Sequence, residues 1–332
     1  MKVSVLDQSP VTKGNTATQS LKNTVELAML ADELGYHRMW MAEHHNTKNF
    51  ASSAPEVTAA YLAAKTKRLR LGTGGVMMMH YSPYKLAEVF KTLSALAPGR
   101  IDFGVGRAPG GDHLAMQALA EGRRYIPSDL YDKFTTILQL LNDESPNDAV
   151  YQNLVTAPFD VPLPEAWLLG SSGNSAVRAG RLGVGYSFAQ FFNGELSKDI
   201  LDAYKYNFTP SSYMEKPLIT VTYAVTIAET KEEAEYIAKP VDLSRLFLSK
   251  GNLRQTLTPE EAKDFPLSEM DQMIIERNRR IHLVGTADEI AKQLYDEKEK
   301  YGFDEVMINS TPHSHESRLQ VYRLLAKEML QH

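Results

Sequence analysis

The feature that most constrains the fold is a regular alternation of short apolar runs with amphipathic helical stretches along nearly the whole chain. Eight apolar runs have the length and composition of β-strands. They begin at Val3, Arg38, Arg68, Ile101, Ala166, Gly185, Leu218 and Glu305. Several runs are continuously apolar, which is typical of a parallel sheet covered by helices. The alternation predicts an α/β fold, a closed (β/α)8 TIM barrel. An open doubly wound sheet is the alternative if a strand has been miscounted.

One segment, residues 240–284, interrupts this alternation. It is too long for a plain connection, and insertions of this size in compact domains often form lids or binding elements. The sequence has no clear domain linker. We therefore predict a single domain over residues 1–332, with a lid-like insertion at 240–284 before the last strand.

Composition excludes several classes of function. The chain has 332 residues, of which 43% are hydrophobic and 23% charged, so it can bury a large core. A formal net charge of −5 without a block of basic residues argues against nucleic acid or membrane as a partner. The absence of cysteine excludes disulfides, thiolate nucleophiles and Cys-ligated metals. No run has membrane-spanning length and no signal peptide is visible, so we expect a cytoplasmic protein.

The second predicted strand ends in Glu43, His44 and His45, a position at which barrels of this class carry their chemistry. A single histidine there suits a proton or hydrogen-bond donor, and a structural role in the loop is an equal alternative. Adjacent strand residues point to opposite faces, so the two histidines do not form a chelating pair. His313 and His315 have the alternating spacing of metal ligands, but no carboxylate cluster completes a sphere. We predict no metal.

The fourth predicted strand ends in "GVGRAPGGD". A dinucleotide fingerprint would need a small residue three places after Gly106, where the chain has Pro109. What remains is Arg107 beside glycines that allow a ligand to approach the backbone closely. Arginine binds phosphate well through two parallel hydrogen bonds, and a surface salt bridge is the alternative.

The fifth predicted strand is followed by Ser171, Ser172, Asn174 and Ser175, at the point where a helix must begin. Free amides and hydroxyls at a helix start form a generic anion site, although N-capping would need only one of these residues. The fourth and fifth strands are neighbours in the predicted barrel. We therefore expect Arg107 and this cluster to meet the same phosphate.

The third predicted strand ends in three glycines, Gly72, Gly74 and Gly75, and methionines and tyrosines follow between residues 77 and 84. Thioethers and aromatic rings beside a bare backbone favour a pocket for a flat apolar ring. Packing of the methionines into the core is an equal alternative.

These segments together resemble the luciferase-like monooxygenase family of flavin-dependent (β/α)8 proteins. The most similar branch contains uncharacterised oxidoreductases whose N-terminus reads much like "LDQSPV". The resemblance runs through nearly the whole chain. Its strongest stretches are "LGYHRMWMAEHHN", "RLRLGTGGVMMMHYSPYKLAE", "PGRIDFGVGRAPG" and "AWLLGSSGNSAVRAGRLG". They are specific for the superfamily and say little about the substrate.

The resemblance implies catalytic roles at the second and third strands. His44 matches a histidine implicated in proton handling, and we expect Glu43 to orient its imidazole. Gly74-Gly75 matches a peptide bond, often cis, that lies beside the isoalloxazine ring of the cofactor.

The resemblance also implies a phosphate site formed by Arg107, Ser172 and Ser175. Two departures from bacterial luciferase are visible, because that enzyme has a reactive cysteine at the position of Gly106 and an acidic residue at that of Ser171. Light emission from a long-chain aldehyde is therefore not implied, whereas oxygenation is compatible with both changes.

The function implied by the resemblance is a two-component, FMN-dependent monooxygenase. A separate flavin reductase would supply reduced FMN, and the protein would use O2 to oxygenate a small organic substrate. Closure of residues 240–284 would keep water out. Analogy with the family also suggests a homodimer. The alternatives are an F420-dependent oxidoreductase on the same barrel and a non-catalytic flavin-binding protein.

Overall fold

Eight parallel strands close on themselves in the computed structural model, which describes residues 1–122, 130–193 and 196–330. The last strand pairs with the first through Val306 and Val3, and with the seventh through Val306 and Val221. An open sheet would leave those edges unpaired. The closed (β/α)8 barrel is therefore confirmed, and the doubly wound alternative is excluded.

The eight barrel strands correspond one to one with the eight predicted from the sequence. They are β1 Lys2–Asp7, β2 Arg38–Met41, β3 Arg70–Thr73, β5 Ile101–Gly106, β6 Glu165–Gly170, β7 Gly185–Phe188, β8 Ile219–Ile227 and β10 Glu305–Asn309. Two short strands were not predicted, β4 Val76–Met77 and β9 His282–Gly285. β8 has nine residues; its first half pairs with β10, and its last residues pair with β9 beyond the barrel.

Helices follow the strands and cover the outside of the barrel. The first group is α1 Ala17–Leu34, α2 Pro55–Lys65, α3 Pro83–Leu96, α4 His113–Leu119, α5 Leu130–Leu141, α6 Gly173–Leu182, α7 Gln190–Asn193 and α8 Lys198–Tyr206. After β8 come α9 Lys231–Ser249, α10 Pro259–Lys263, α11 Glu269–Asn278, α12 Ala287–Tyr301 and α13 His315–Met329. The left-handed backbone of Gly35, with φ of 87°, ends α1. None of the helices within the described ranges is long and apolar enough to cross a membrane.

The predicted insertion, residues 240–284, is folded rather than irregular. Its predicted start lies inside α9, because that helix continues through Pro240. Arg279 donates to Asp242 from Nε at 2.8 Å and from Nη2 at 2.7 Å, which ties the end of the segment to α9. Its helices share a small apolar core that consists of Leu243, Leu246, Phe247 and Ala262.

Buried charges fill the amino-terminal end of the barrel. Arg38, which is only 1% exposed, donates to Asp102 at 2.7 Å, to Glu165 at 3.0 Å and to Glu305 at 2.8 Å. Its guanidinium also lies 4.7 Å from the ring centroid of Trp167. Because buried charges persist only when they are paired, these contacts fix the side chains at this end.

Candidate active site

The predicted site residues lie at the carboxyl ends of barrel strands. His44 follows β2, Gly74 and Gly75 follow β3, Arg107 follows β5, and the two predicted serines lie at the start of α6, after β6. Because all of these strands are parallel, their carboxyl ends gather at one end of the barrel. We call this end the mouth.

Glu43 is fully buried beside the mouth and binds His45 rather than His44. Its Oε1 accepts hydrogen bonds from His45 Nε2 at 2.7 Å and from the Tyr81 hydroxyl at 2.8 Å. Its Oε2 accepts one from the backbone N–H of Met77 at 2.8 Å. The expectation that Glu43 orients the His44 imidazole is therefore wrong. Successive side chains of an extended chain point to opposite sides, so the histidine two places away, not the adjacent one, reaches Glu43.

His44 occupies a separate position at the mouth. Its ring stacks on Phe50 with centroids 4.4 Å apart, and its Nδ1 lies 3.1 Å from the Ser52 hydroxyl. Its Nε2 is 3.5 Å from the amide nitrogen of Gln8, whose oxygen accepts from Asn309 at 3.3 Å. An amide nitrogen only donates, so with this orientation His44 Nε2 accepts and Nδ1 carries the proton. Burial lowers the pKa of His44 to about 4, and the imidazole is neutral at physiological pH.

The backbone after β3 is bare and closely packed. The Gly74–Gly75 peptide bond is cis, as in the family position that the sequence resembles. A Cβ on Gly74 would lie 2.8 Å from Leu6 Cδ1, and a Cβ on Gly75 would lie 2.9 Å from the carbonyl oxygen of Gly104. A backbone oxygen does not move aside as a side chain does. The structure therefore favours glycine at both positions, most strongly at Gly75.

The methionines after β4 divide between the core and the mouth. Met78 is fully buried in the core, and Met79 packs against the same core. Tyr84 donates its hydroxyl to the carbonyl oxygen of Val155 at 2.9 Å. Met77 is half-buried beside β5. The expected ring pocket is thus not built from all of these residues, and core packing accounts for Met78 and Met79.

Two guanidinium groups flank one aromatic ring at the mouth. Arg107 Cζ lies 4.8 Å from the ring centroid of Tyr131, and Arg178 Cζ lies 5.0 Å from it. No carboxylate of the described residues lies within 4.0 Å of either guanidinium. The Tyr131 hydroxyl is buried and has no hydrogen-bond partner among the described residues. Two adjacent cations without a counter-ion create a local positive potential that attracts an anion.

The hydroxyls of Ser172 and Ser175 lie at the N-terminus of α6, as predicted. Each accepts from the other residue's backbone N–H, at 3.4 Å and 3.3 Å, which forms a capping box. Ser175 Oγ is 3.2 Å from the hydroxyl of Tyr186. Burial raises the pKa of Tyr186 to about 12, and the charge of Arg107 opposes that shift. Ser175 thus adjoins Tyr186, and Arg107 lies beside Tyr131 at the end of the neighbouring strand.

Sequence reasoning missed four residues of this region, Gln8, Tyr131, Arg178 and Tyr186. Arg178 had a usable signal, because it follows Ser175 by three residues and therefore shares its helix face. Gln8 and Tyr186 belong to barrel strands or follow them directly, which is a weaker signal. Tyr131 had none, because only tertiary packing brings α5 beside the guanidiniums.

The remaining histidine pair does not converge on one point. His313 Nε2 lies 2.9 Å from the carbonyl oxygen of Lys13, and His315 Nε2 lies 3.1 Å from Glu26 Oε2. In residues 1–122, 130–193 and 196–330, no group of three histidine, aspartate or glutamate side chains is arranged to hold a metal ion.

Comparisons with known proteins identify the family. Residues 1–305 match the family model of the luciferase-like monooxygenases. Uncharacterized protein YwcH of Bacillus subtilis strain 168 is 40% identical over 326 residues, which cover 98% of each chain. N-acetyl-S-alkylcysteine monooxygenase of the same strain is 37% identical over 334 residues, 99% of this chain and 98% of the relative. The crystal structure of apo-MsnO8 superposes with a TM-score of 0.89 at 35% identity, covering 98% of this chain and 97% of that one. The chain belongs to the luciferase-like monooxygenase family of oxidoreductases.

Proposed function

We propose that the protein is the oxygenase of a two-component monooxygenase, which binds reduced FMN and uses O2 to oxygenate a small organic substrate. The observation that carries this proposal is that Arg107 and Arg178 flank Tyr131, and that Arg178 belongs to α6, whose first turn carries the hydroxyls of Ser172 and Ser175. FMN ends in a phosphate dianion, and this set of cations and hydroxyls suits that group.

The phosphate contacts are strong enough to anchor the cofactor. Each charge-assisted hydrogen bond contributes about 1.5–3 kcal/mol. The first turn of α6 adds the positive end of the helix dipole. The buried Tyr131 hydroxyl is a further group suited to hydrogen bonding.

The residues that would hold the cofactor ring are Gly74 and Gly75. Glu43 supports them, because it accepts the N–H of Met77 and so fixes the chain directly after the two glycines. Bound at this site, reduced FMN supplies the electrons that activate O2.

In this proposal His44 is a hydrogen-bond acceptor or a base rather than an acid. Its pKa of about 4 leaves it neutral at physiological pH, so it has no proton to spare at Nε2. The contact of Nδ1 with Ser52 and the stacking on Phe50 hold the ring in one orientation. Nε2 is then the atom that accepts a proton or a hydrogen bond at the mouth.

A separate flavin reductase is the proposed partner, because the sequence lacks the glycine fingerprint that binds a nicotinamide dinucleotide. We also propose a homodimer, as the family analogy suggests. N-acetyl-S-alkylcysteines, for which the 37%-identical relative is named, are the first substrates to test.

A titration with two flavins tests the phosphate site. We expect Arg107→Ala to weaken the binding of reduced FMN at least tenfold, about 1.4 kcal/mol, and to leave the binding of reduced riboflavin unchanged, because riboflavin has no phosphate. Anaerobic calorimetry measures both affinities. Arg181→Ala, at an exposed position near the end of α6, is the matched control. Equal FMN affinity in wild type and Arg107→Ala would remove Arg107 from the site.

Two further measurements separate the alternative functions. Tighter binding of F420 than of reduced FMN would point to hydride transfer without oxygen. With reduced FMN and N-acetyl-S-benzylcysteine, we expect oxygen uptake above free-flavin autoxidation, together with an oxygenated product. Flavin binding without product formation for any substrate tried would identify a flavin-binding protein.

A further inference from the structure

Arg245 of α9 lies beside Phe191, which follows the carboxyl end of β7 at the mouth. In the closed strand order, β7 is three strands from β3 in one direction and five in the other, so Arg245 reaches the mouth on the side away from Gly74 and Gly75. Arg245 Nη1 donates to the carbonyl oxygen of Phe191 at 3.3 Å. Phe191 in turn packs against an inner apolar cluster of the barrel that includes Trp167. The guanidinium is therefore held at the mouth.

The charge of Arg245 has no counter-ion among the described residues. No carboxylate in that part of the chain lies within 4.0 Å of it. Asp242 is the nearest acid on the same helix, and it is already bound in two places by Arg279 and approached by His282 at 3.5 Å. Arg245 is half-buried, and burial lowers its pKa to about 10 although the charge of Asp242 opposes this.

Most of the hydrogen-bonding capacity of this guanidinium is unused. An arginine side chain carries five N–H donors, and the bond to Phe191 is the one that Arg245 makes within the described ranges. Half-burial of a cation without a partner is unfavourable, and an anionic ligand would compensate for it.

Three other arginines near the mouth or in the 240–284 segment are already assigned or paired. Arg107 and Arg178 flank Tyr131 at the proposed phosphate site. Arg279 is paired with Asp242 and Glu235. Of these four arginines, Arg245 is thus the one that is left for a second anion.

We propose that Arg245 binds a carboxylate of the organic substrate and so makes this protein selective for small organic acids. The inference rests on the proposed function, because it positions the substrate opposite the residues that would hold the flavin ring. The planar guanidinium matches a carboxylate through two parallel hydrogen bonds. An acid bound in this way has its charge at the β7 side of the mouth and its organic part toward Gly74 and Gly75.

Matched ligand pairs test this inference. Each pair is a small carboxylic acid and its methyl ester, and N-acetyl-S-benzylcysteine is one of the acids. Calorimetry measures their binding to wild type, Arg245→Met and Arg245→Lys, with FMN bound and without it. Arg254→Met is the control, because Arg254 lies in the same segment but is exposed and rests on Phe247.

We expect wild type to bind acids at least tenfold more tightly than their esters, and Arg245→Met to lose that preference while ester binding stays unchanged. Arg245→Lys should restore part of the preference, and Arg254→Met should behave as wild type. FMN affinity should be the same in all four proteins. If FMN does not bind at all, the proposed function is contradicted, and the acid and ester pairs still test Arg245 in the FMN-free protein. Equal binding of acids and esters by wild type, no binding of any acid, or an unchanged preference in Arg245→Met would overturn the inference.

Discussion

Two adjacent histidines at the mouth make different contacts because their side chains leave the chain on opposite sides. His45 completes a buried network with Glu43 and Tyr81, whereas His44 is outside that network. Glu43 has no exposed surface, and three donors surround its carboxylate. It contributes to the site by holding the chain after the two glycines, and no contact links it to the His44 imidazole.

Glu43→Gln tests this network. We expect the free energy of unfolding to fall by about 1–3 kcal/mol, because the new amide nitrogen would face a donor where an acceptor is needed. Urea denaturation at pH 7 measures the change. Glu316→Gln is the control, because Glu316 forms an exposed ion pair with Arg323 and its loss should matter much less. Similar losses in the two variants would contradict the role given to Glu43.

At the scale of elements, residues 240–284 join the barrel through β9 and are held together internally by Asp242. β9 pairs with the last residues of β8, and Asp242 of α9 binds Arg279, three residues before β9. His282 of β9 approaches Asp242 at 3.5 Å and contacts Thr226 of β8 at 2.9 Å. These polar contacts link α9 and the residues after α11 to β9, and β9 to the last residues of β8.

Asp242→Asn tests how the segment is held. We expect faster amide hydrogen exchange in α11 and β9 and unchanged exchange in β1 and β2, because the two charge-assisted bonds from Arg279 weaken. Glu235→Gln is the matched control: Glu235 also binds Arg279, but its side chain is 48% exposed. Exchange that rises equally throughout the barrel would show that Asp242 stabilises the whole fold rather than the segment.

The sequence predicted those parts of the molecule that depend on local signals. Each barrel strand coincides with one of the predicted apolar runs. β9 was missed because His282–Gly285 is short and forms a strand only by pairing with the distant β8. The serines proposed to bind phosphate were predicted because a helix start follows a strand, whereas Tyr131 reaches Arg107 and Arg178 through the packing of α5.

At the scale of the whole molecule, three histidines that are wholly or partly buried stay neutral at physiological pH in different places. His37 lies beside the charged network at the amino-terminal end of the barrel, His44 lies at the mouth, and His282 lies in β9. Burial lowers the pKa of each to about 4.

This distribution predicts a loss of stability in mild acid. A histidine of the unfolded chain titrates near pH 6.5, so below that pH the unfolded state binds protons that the folded state excludes. The stabilisation is fully present above about pH 6.5 and falls as the pH decreases toward about 4. Urea denaturation between pH 7.5 and 4.5 should show the decline. His282→Gln should make it less steep, and the same substitution at the exposed His113 should not. Identical slopes in all three proteins would contradict this account.

The charged network around Arg38 also governs how molecules reach the interior. Among the described residues, its carboxylate partners and Trp167 fill the amino-terminal end of the barrel. Under the proposed function, flavin, oxygen and substrate would then share the mouth for arrival and departure. The ligand that binds deepest in the barrel must then bind first and leave last. An ordered kinetic scheme is the consequence of a filled amino-terminal end.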